Sequence, residues 1–82
     1  MSDRIADVVF AALSRQLKID SLALRGRGAE SLERLGLDSH GLMRVLLDVE
    51  RELKLANSLE LPDDALESPT TLVQGVAAAV GG

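Results

Sequence analysis

Ser39 is the residue whose surroundings suit chemistry best in this 82-residue chain. It follows Asp38 directly, ends a long irregular segment and opens a stretch of helical periodicity, so its hydroxyl is expected to face solvent at a helix start. A hydroxyl displayed there suits covalent attachment, and the free N–H groups of a helix N-terminus would stabilise a phosphate bonded to it. Asp38 itself reads as the N-cap, and a neighbouring Asp and Ser do not make a catalytic triad. His40 is the sole histidine and there is no cysteine. That excludes a histidine metal cluster, a cysteine zinc site, a disulfide and a thiol nucleophile. A single histidine in a first helical turn is ordinarily a solvated side chain. Asp63, Asp64 and Glu67 read as helix-start carboxylates that complement the dipole better than as a cation site. Gly26 and Gly28 alternate with Arg25 and Arg27, which is not the spacing of a phosphate-cradling loop. These residues argue for an attachment point and against an enzyme.

The elements that must position Ser39 follow from hydrophobic periodicity. From Asp3 to Lys18, Ile5, Val8, Val9, Phe10, Ala12, Leu13 and Leu17 share one broad side, with Asp7, Ser14, Arg15 and Lys18 opposite; this is an amphipathic helix capped by Ser2 or Asp3. Between Ile19 and Leu37 the period fails around Arg25-Gly26-Arg27-Gly28, giving a long loop of 19 residues anchored by Leu22, Leu24, Leu32, Leu35 and Leu37. The second helix runs from its cap Asp38 to about Leu55. Leu42, Val45, Leu46, Val49 and Leu53 form its core stripe. Met43 and Leu47 fall outside that stripe on the Ser39 side, flanked by His40, Arg44 and Arg51. A second apolar strip is surplus to core formation and suits docking, although Met43 could equally pack under the loop as a gap-filler. Ala56-Asn57-Ser58 breaks the chain. Pro62-Asp63-Asp64 opens a short helix ending near Glu67, and the capping box Thr71-Leu72-Val73-Gln74 opens a last helix. Its Leu72, Val73, Val76, Ala77 and Val80 face inward until Gly81-Gly82 stop it.

Residues 1–82 therefore form a single domain, an all-α bundle of three main helices plus one short helix with a long loop between helices one and two. Phe10 is the lone aromatic, and an aliphatic core suits helices better than a sandwich or barrel. The net charge of −4 is unevenly spread. Residues 1–38 hold six acids and six bases, residues 39–54 three and three, and residues 55–82 four acids and no base. Without a basic stripe the chain is a poor nucleic-acid binder, and a helix-turn-helix regulator is disfavoured. No apolar run is long enough for a membrane span and Met1-Ser2-Asp3-Arg4 lacks signal-peptide character, so a cytoplasmic monomer is expected.

Leu35-Gly36-Leu37-Asp38-Ser39, followed by Leu42, Val45, Leu46, Val49, Glu50, Glu52 and Leu53, resembles the phosphopantetheine-attachment region of acyl carrier proteins and related thiolation domains. The resemblance extends over nearly the whole chain, since the first helix, long loop, Asp38-Ser39, Pro62-Asp63 and Thr70-Thr71 come in the family's order. It implies an acyl-carrier-like bundle in which Ser39 receives a 4′-phosphopantetheine arm from coenzyme A through a phosphopantetheinyl transferase. Asp38 would be the adjacent acid that helps the transferase and its metal ion. The arm's thiol would hold an acyl or aminoacyl thioester loaded by an acyl or amino acid ligase and delivered to a downstream acyl-transferring enzyme. Partner contacts are expected from His40, Met43, Arg44, Leu47 and Arg51. The chain departs from the family at His40 (usually Leu), at Gly41 (often acidic), and at Arg44 and Arg51, where acids are usual. It also has an extra segment around Leu55-Ala56-Asn57-Ser58. A neutral second helix points to a specialised carrier with amino acid or secondary-metabolite cargo in place of the housekeeping fatty-acid role. The alternative is a cofactor-free small helical protein-interaction module using the same strip.

Overall fold

The computed structural model describes residues 3–55 and 59–81. Among them the chain forms four α-helices, α1 (Asp3–Leu17), α2 (Ser21–Gly26), α3 (Ser39–Glu52) and α4 (Pro69–Gly81), with a 3₁₀ turn at Asp63–Leu66 and no strand. The expected Ser2 cap, the Ala56-Asn57-Ser58 break and the Gly82 stop lie outside the described residues. No helix is long and apolar enough to cross a membrane.

The first helix is the hub, packing against α2, α3 and α4. Its Val9, Phe10, Ala12 and Leu13 meet Leu24 of α2, Val45 and Val49 of α3, and Leu72 and Val76 of α4 in one buried cluster. Ser14, expected on the wet side, is half-buried and donates from its Oγ to the Ile19 carbonyl at 2.6 Å. That bond closes the helix end. The chain reverses through Lys18, a lysine at φ 58° where glycine is the usual occupant.

The segment expected to be a continuous loop contains α2. Its cap is Asp20, whose side chain accepts from Leu22 N at 3.1 Å. Six residues give fewer than two turns, too short for a periodicity to show. The helix presents Leu24 to the core and leaves Leu22 78% exposed, so Leu22 is not an anchor. Arg25 ties α2 to α1, its guanidinium lying 4.8 Å from the Phe10 ring centroid and bonding Asp7 Oδ1 at 2.5 Å. Just beyond, Arg27 bonds Glu30 at 2.7 and 3.1 Å. Those hydrogen bonds hold the Glu30 carboxyl below the usual carboxylate range.

The last helix is capped three residues earlier than expected. Ser68 is the cap, its Oγ accepting from Thr71 N at 3.2 Å while Thr71 Oγ1 accepts from Ser68 N at 2.9 Å. Pro69 sits at the first helical position, where its missing N–H is no loss. The reciprocal box therefore pairs Ser68 with Thr71, and Gln74 is exposed. Leu72 and Val76 are buried, Val73 and Ala77 half-buried, and Val80, placed inward from the sequence, is exposed.

Candidate functional site

Residues 31–37 build the approach to α3. Ser31 starts a helical turn, its Oγ accepting from Arg34 N at 3.0 Å. The turn ends with Leu37 N donating to Leu32 O at 2.9 Å and Gly36 N donating to Glu33 O at 3.1 Å. This is a Schellman motif with Gly36 in the left-handed position at φ 100°. A Cβ on Gly36 would meet nothing within 4 Å, so its backbone angle, not crowding, calls for glycine. Leu35 and Leu37 on either side are buried, and the Leu32–Leu37 pairing supplies the apolar contact such motifs favour.

Asp38 then caps α3 as expected. Its backbone is extended at φ −89°, ψ 178°, and its Oδ1 accepts from Gly41 N at 2.7 Å. Its carbonyl accepts from Leu42 N at 2.9 Å, the first bond of the helical ladder. The amides of Ser39 and His40 are left without a hydrogen-bond partner among the described residues. Ser39 is exposed, and its Oγ likewise makes no hydrogen bond among them. Beside it lies an open groove of about 540 Å³, lined by Leu32, Glu33, Gly36, Leu37, Asp38, Ser39, Leu42 and Leu66. Its lining is mostly apolar, with Glu33, Asp38 and Ser39 as its polar members.

Gly41 stands where α3 passes α1. A Cβ there would lie 2.9 Å from Leu37 Cδ1, 3.2 Å from Asp38 Oδ1 and 3.3 Å from Gln16 Nε2. An acidic side chain there, as the carrier resemblance leads one to look for, would have to displace the end of the Leu37 side chain and would crowd the Asp38 carboxylate. Farther along α3 the inward residues Val45 and Val49 are fully buried and Leu42, Leu46 and Leu53 half-buried. On the opposite side Met43 is 66% and Leu47 54% exposed, with His40, Arg44 and Arg51 exposed beside them. Met43 therefore does not pack under the connector. The helix ends at Glu52, three residues short of Leu55, through Lys54 at φ 54°.

The structure thus places Asp38 and Ser39 at the groove, and His40, Met43, Arg44, Leu47 and Arg51 along the exposed side of α3. Glu33 and Leu66 were not foreseen as groove walls. Glu33 arrives through the Schellman turn and Leu66 through the 3₁₀ turn, and that these two turns meet beside Ser39 is a tertiary matter with no local sequence signature. No family model matches the chain, and no similarity was found to curated proteins or to solved structures.

Proposed function

We propose that the chain is a carrier protein whose Ser39 bears a 4′-phosphopantetheine arm. One observation carries the reading: of Leu35-Gly36-Leu37-Asp38-Ser39, four residues are used to build a turn, two anchors and a helix cap, and the fifth is held out in solvent with no bond of its own. The surroundings suit the group. The unpartnered Ser39 and His40 amides at the positive end of α3 favour a phosphate on Ser39 Oγ, and the groove walls Leu37, Leu42 and Leu66 offer apolar contact to whatever is attached. A phosphopantetheinyl transferase would join Ser39 Oγ to the arm as a phosphodiester, displacing adenosine 3′,5′-bisphosphate from coenzyme A. When bound, the arm supplies a thiol that holds an acyl or aminoacyl group as a thioester.

Asp38 has two duties in this reading, capping α3 and presenting a carboxylate beside the acceptor hydroxyl. An acyl or amino acid ligase loads the thiol and a downstream acyl-transferring enzyme unloads it. Tethering raises the cargo's effective concentration at each enzyme in turn. The arginines on the exposed side of α3 support a specialised carrier, with amino acid or secondary-metabolite cargo, over a fatty-acid carrier. A second reading is favoured by the exposed Met43 and Leu47 alone: a cofactor-free interaction module that uses this side of α3 and gives Ser39 no role.

Intact mass after incubation with coenzyme A and a broad-specificity transferase separates the two. The wild type gains one phosphopantetheinyl group and Ser39→Ala gains none. An unmodified wild type, or equal gain by Ser39→Ala, removes the carrier reading and leaves the module. Loading of the modified protein by candidate ligases then addresses cargo; efficient malonyl transfer with no aminoacyl transfer would count against the specialised assignment.

A further inference from the structure

The charges of α3 differ in what they are bonded to. The helix carries three carboxylates, Asp48, Glu50 and Glu52, and two arginines, Arg44 and Arg51. Asp48 is paired with Arg15 of α1 at 3.7 Å. Glu50 is half-buried, and its Oε2 accepts from Leu59 N at 2.9 Å, which ties it to the incoming chain. Glu52 lies at the C-terminal end, where Arg4 reaches its carbonyl at 3.5 Å, and at helical spacing it falls across the helix from Met43. Arg44 and Arg51 are exposed and form no ion pair among the described residues. Both lie next to Leu47 on the helix surface, with Met43 one turn and His40 two turns before it. The exposed apolar strip therefore has unspent positive charge along its Arg44–Arg51 edge, while Glu50 on its other edge is engaged by Leu59 N, on a protein whose net charge is −4.

From this arrangement we propose that the exposed side of α3 docks a protein surface that presents apolar side chains bordered by carboxylates. The inference rests on the docking part of the proposed function and is independent of the arm. Local charge decides such a contact over net charge, because at physiological ionic strength the screening length is about 8 Å and acids beyond it contribute little. Guanidinium groups suit this role, since each forms two parallel bonds to one carboxylate. Complementary charge raises encounter rate and sets orientation, while Met43 and Leu47 supply the apolar contact. Met43 adapts readily to differently shaped partners.

The test uses the unmodified full chain, its mass confirming that no arm is attached, and two synthetic amphipathic helical peptides. Both share one leucine face; one is bordered by glutamates and the other by lysines. Titration into ¹⁵N-labelled protein should shift the amides of residues 40–51, with the glutamate peptide binding at least about tenfold tighter, and that preference should shrink as salt is raised. Arg44→Glu with Arg51→Glu should reverse the preference, and Arg44→Gln with Arg51→Gln should abolish it, with circular dichroism showing that both variants stay folded. Equal binding of the two peptides, tighter binding of the lysine peptide, or shifts confined to α4 would overturn the proposal. Because no arm is present, any of these outcomes leaves the Ser39 reading to its own mass experiment.

Discussion

Both sides of α3 hold apolar residues, but in opposite situations. Val45 and Val49 have no exposed surface, whereas Met43 and Leu47, two residues before each of them, keep more than half of theirs. At the inner start of the helix Gly41 is buried, and a Cβ there would crowd the side-chain ends of Leu37, Asp38 and Gln16. On the outer side nothing in the described chain covers the helix. The contrast teaches that the inner side answers to stability and the outer to whatever the protein meets, so the two should respond oppositely to substitution.

The sharpest way to break this comparison is to place one charge on each side. Val45→Asp should cost more than about 4 kcal/mol and leave the chain unfolded, because an unpaired carboxylate would be buried. Met43→Asp should shift a urea midpoint little; comparable loss in both variants would erase the distinction. Shape comes next. Gly41→Val should cost about 1–3 kcal/mol by overpacking against Leu37, Asp38 and Gln16, while Arg44→Ala stays within about 0.5 kcal/mol. At the border between the sides, Asp38→Ala should lose about 1 kcal/mol of cap energy in thermal or chemical unfolding, and Asp38→Asn only a few tenths. Ser39→Ala beside it should leave stability unchanged, since its Oγ bonds nothing among the described residues. The smallest effect belongs to Asp48, whose pair with Arg15 lies along the edge and is partly solvated. Asp48→Asn should cost under about 0.5 kcal/mol, a difference that vanishes in 1 M salt.

How much of this was legible in the sequence depended on how local the cause was. The cap at Asp38, the burial of Leu35 and Leu37 and the two stripes of α3 each arise within a few residues, and all could be read directly. The α4 start was misplaced because Thr71-Leu72-Val73-Gln74 and Ser68-Pro69-Thr70-Thr71 both have the form of a cap. Only the second lets proline occupy a position without an N–H partner. α2 has no signature in the sequence because fewer than two turns carry no period. Which of Leu22 and Leu24 is buried depends on how those turns sit on α1, a tertiary matter. The groove beside Ser39 is tertiary too, since Glu33 and Leu66 reach it from separate turns. The identity of Ser39 as the candidate residue was legible; the shape next to it was not.

The connector before Ser39 is joined to the start of α4 by two backbone hydrogen bonds, Leu32 N to Glu67 O at 2.7 Å and Thr70 N to Gly28 O at 3.1 Å. Gly28 fits there because a Cβ would lie 2.7 Å from Thr70 Oγ1. In kinetic language, each amide exchanges only when its bond opens, and two bonds side by side across one seam predict a shared opening event. Both should exchange with deuterium at a common rate, and loosening the Ser68 cap should speed both together. The wall of the groove beside Ser39 would then breathe on a clock set at the far end of the chain.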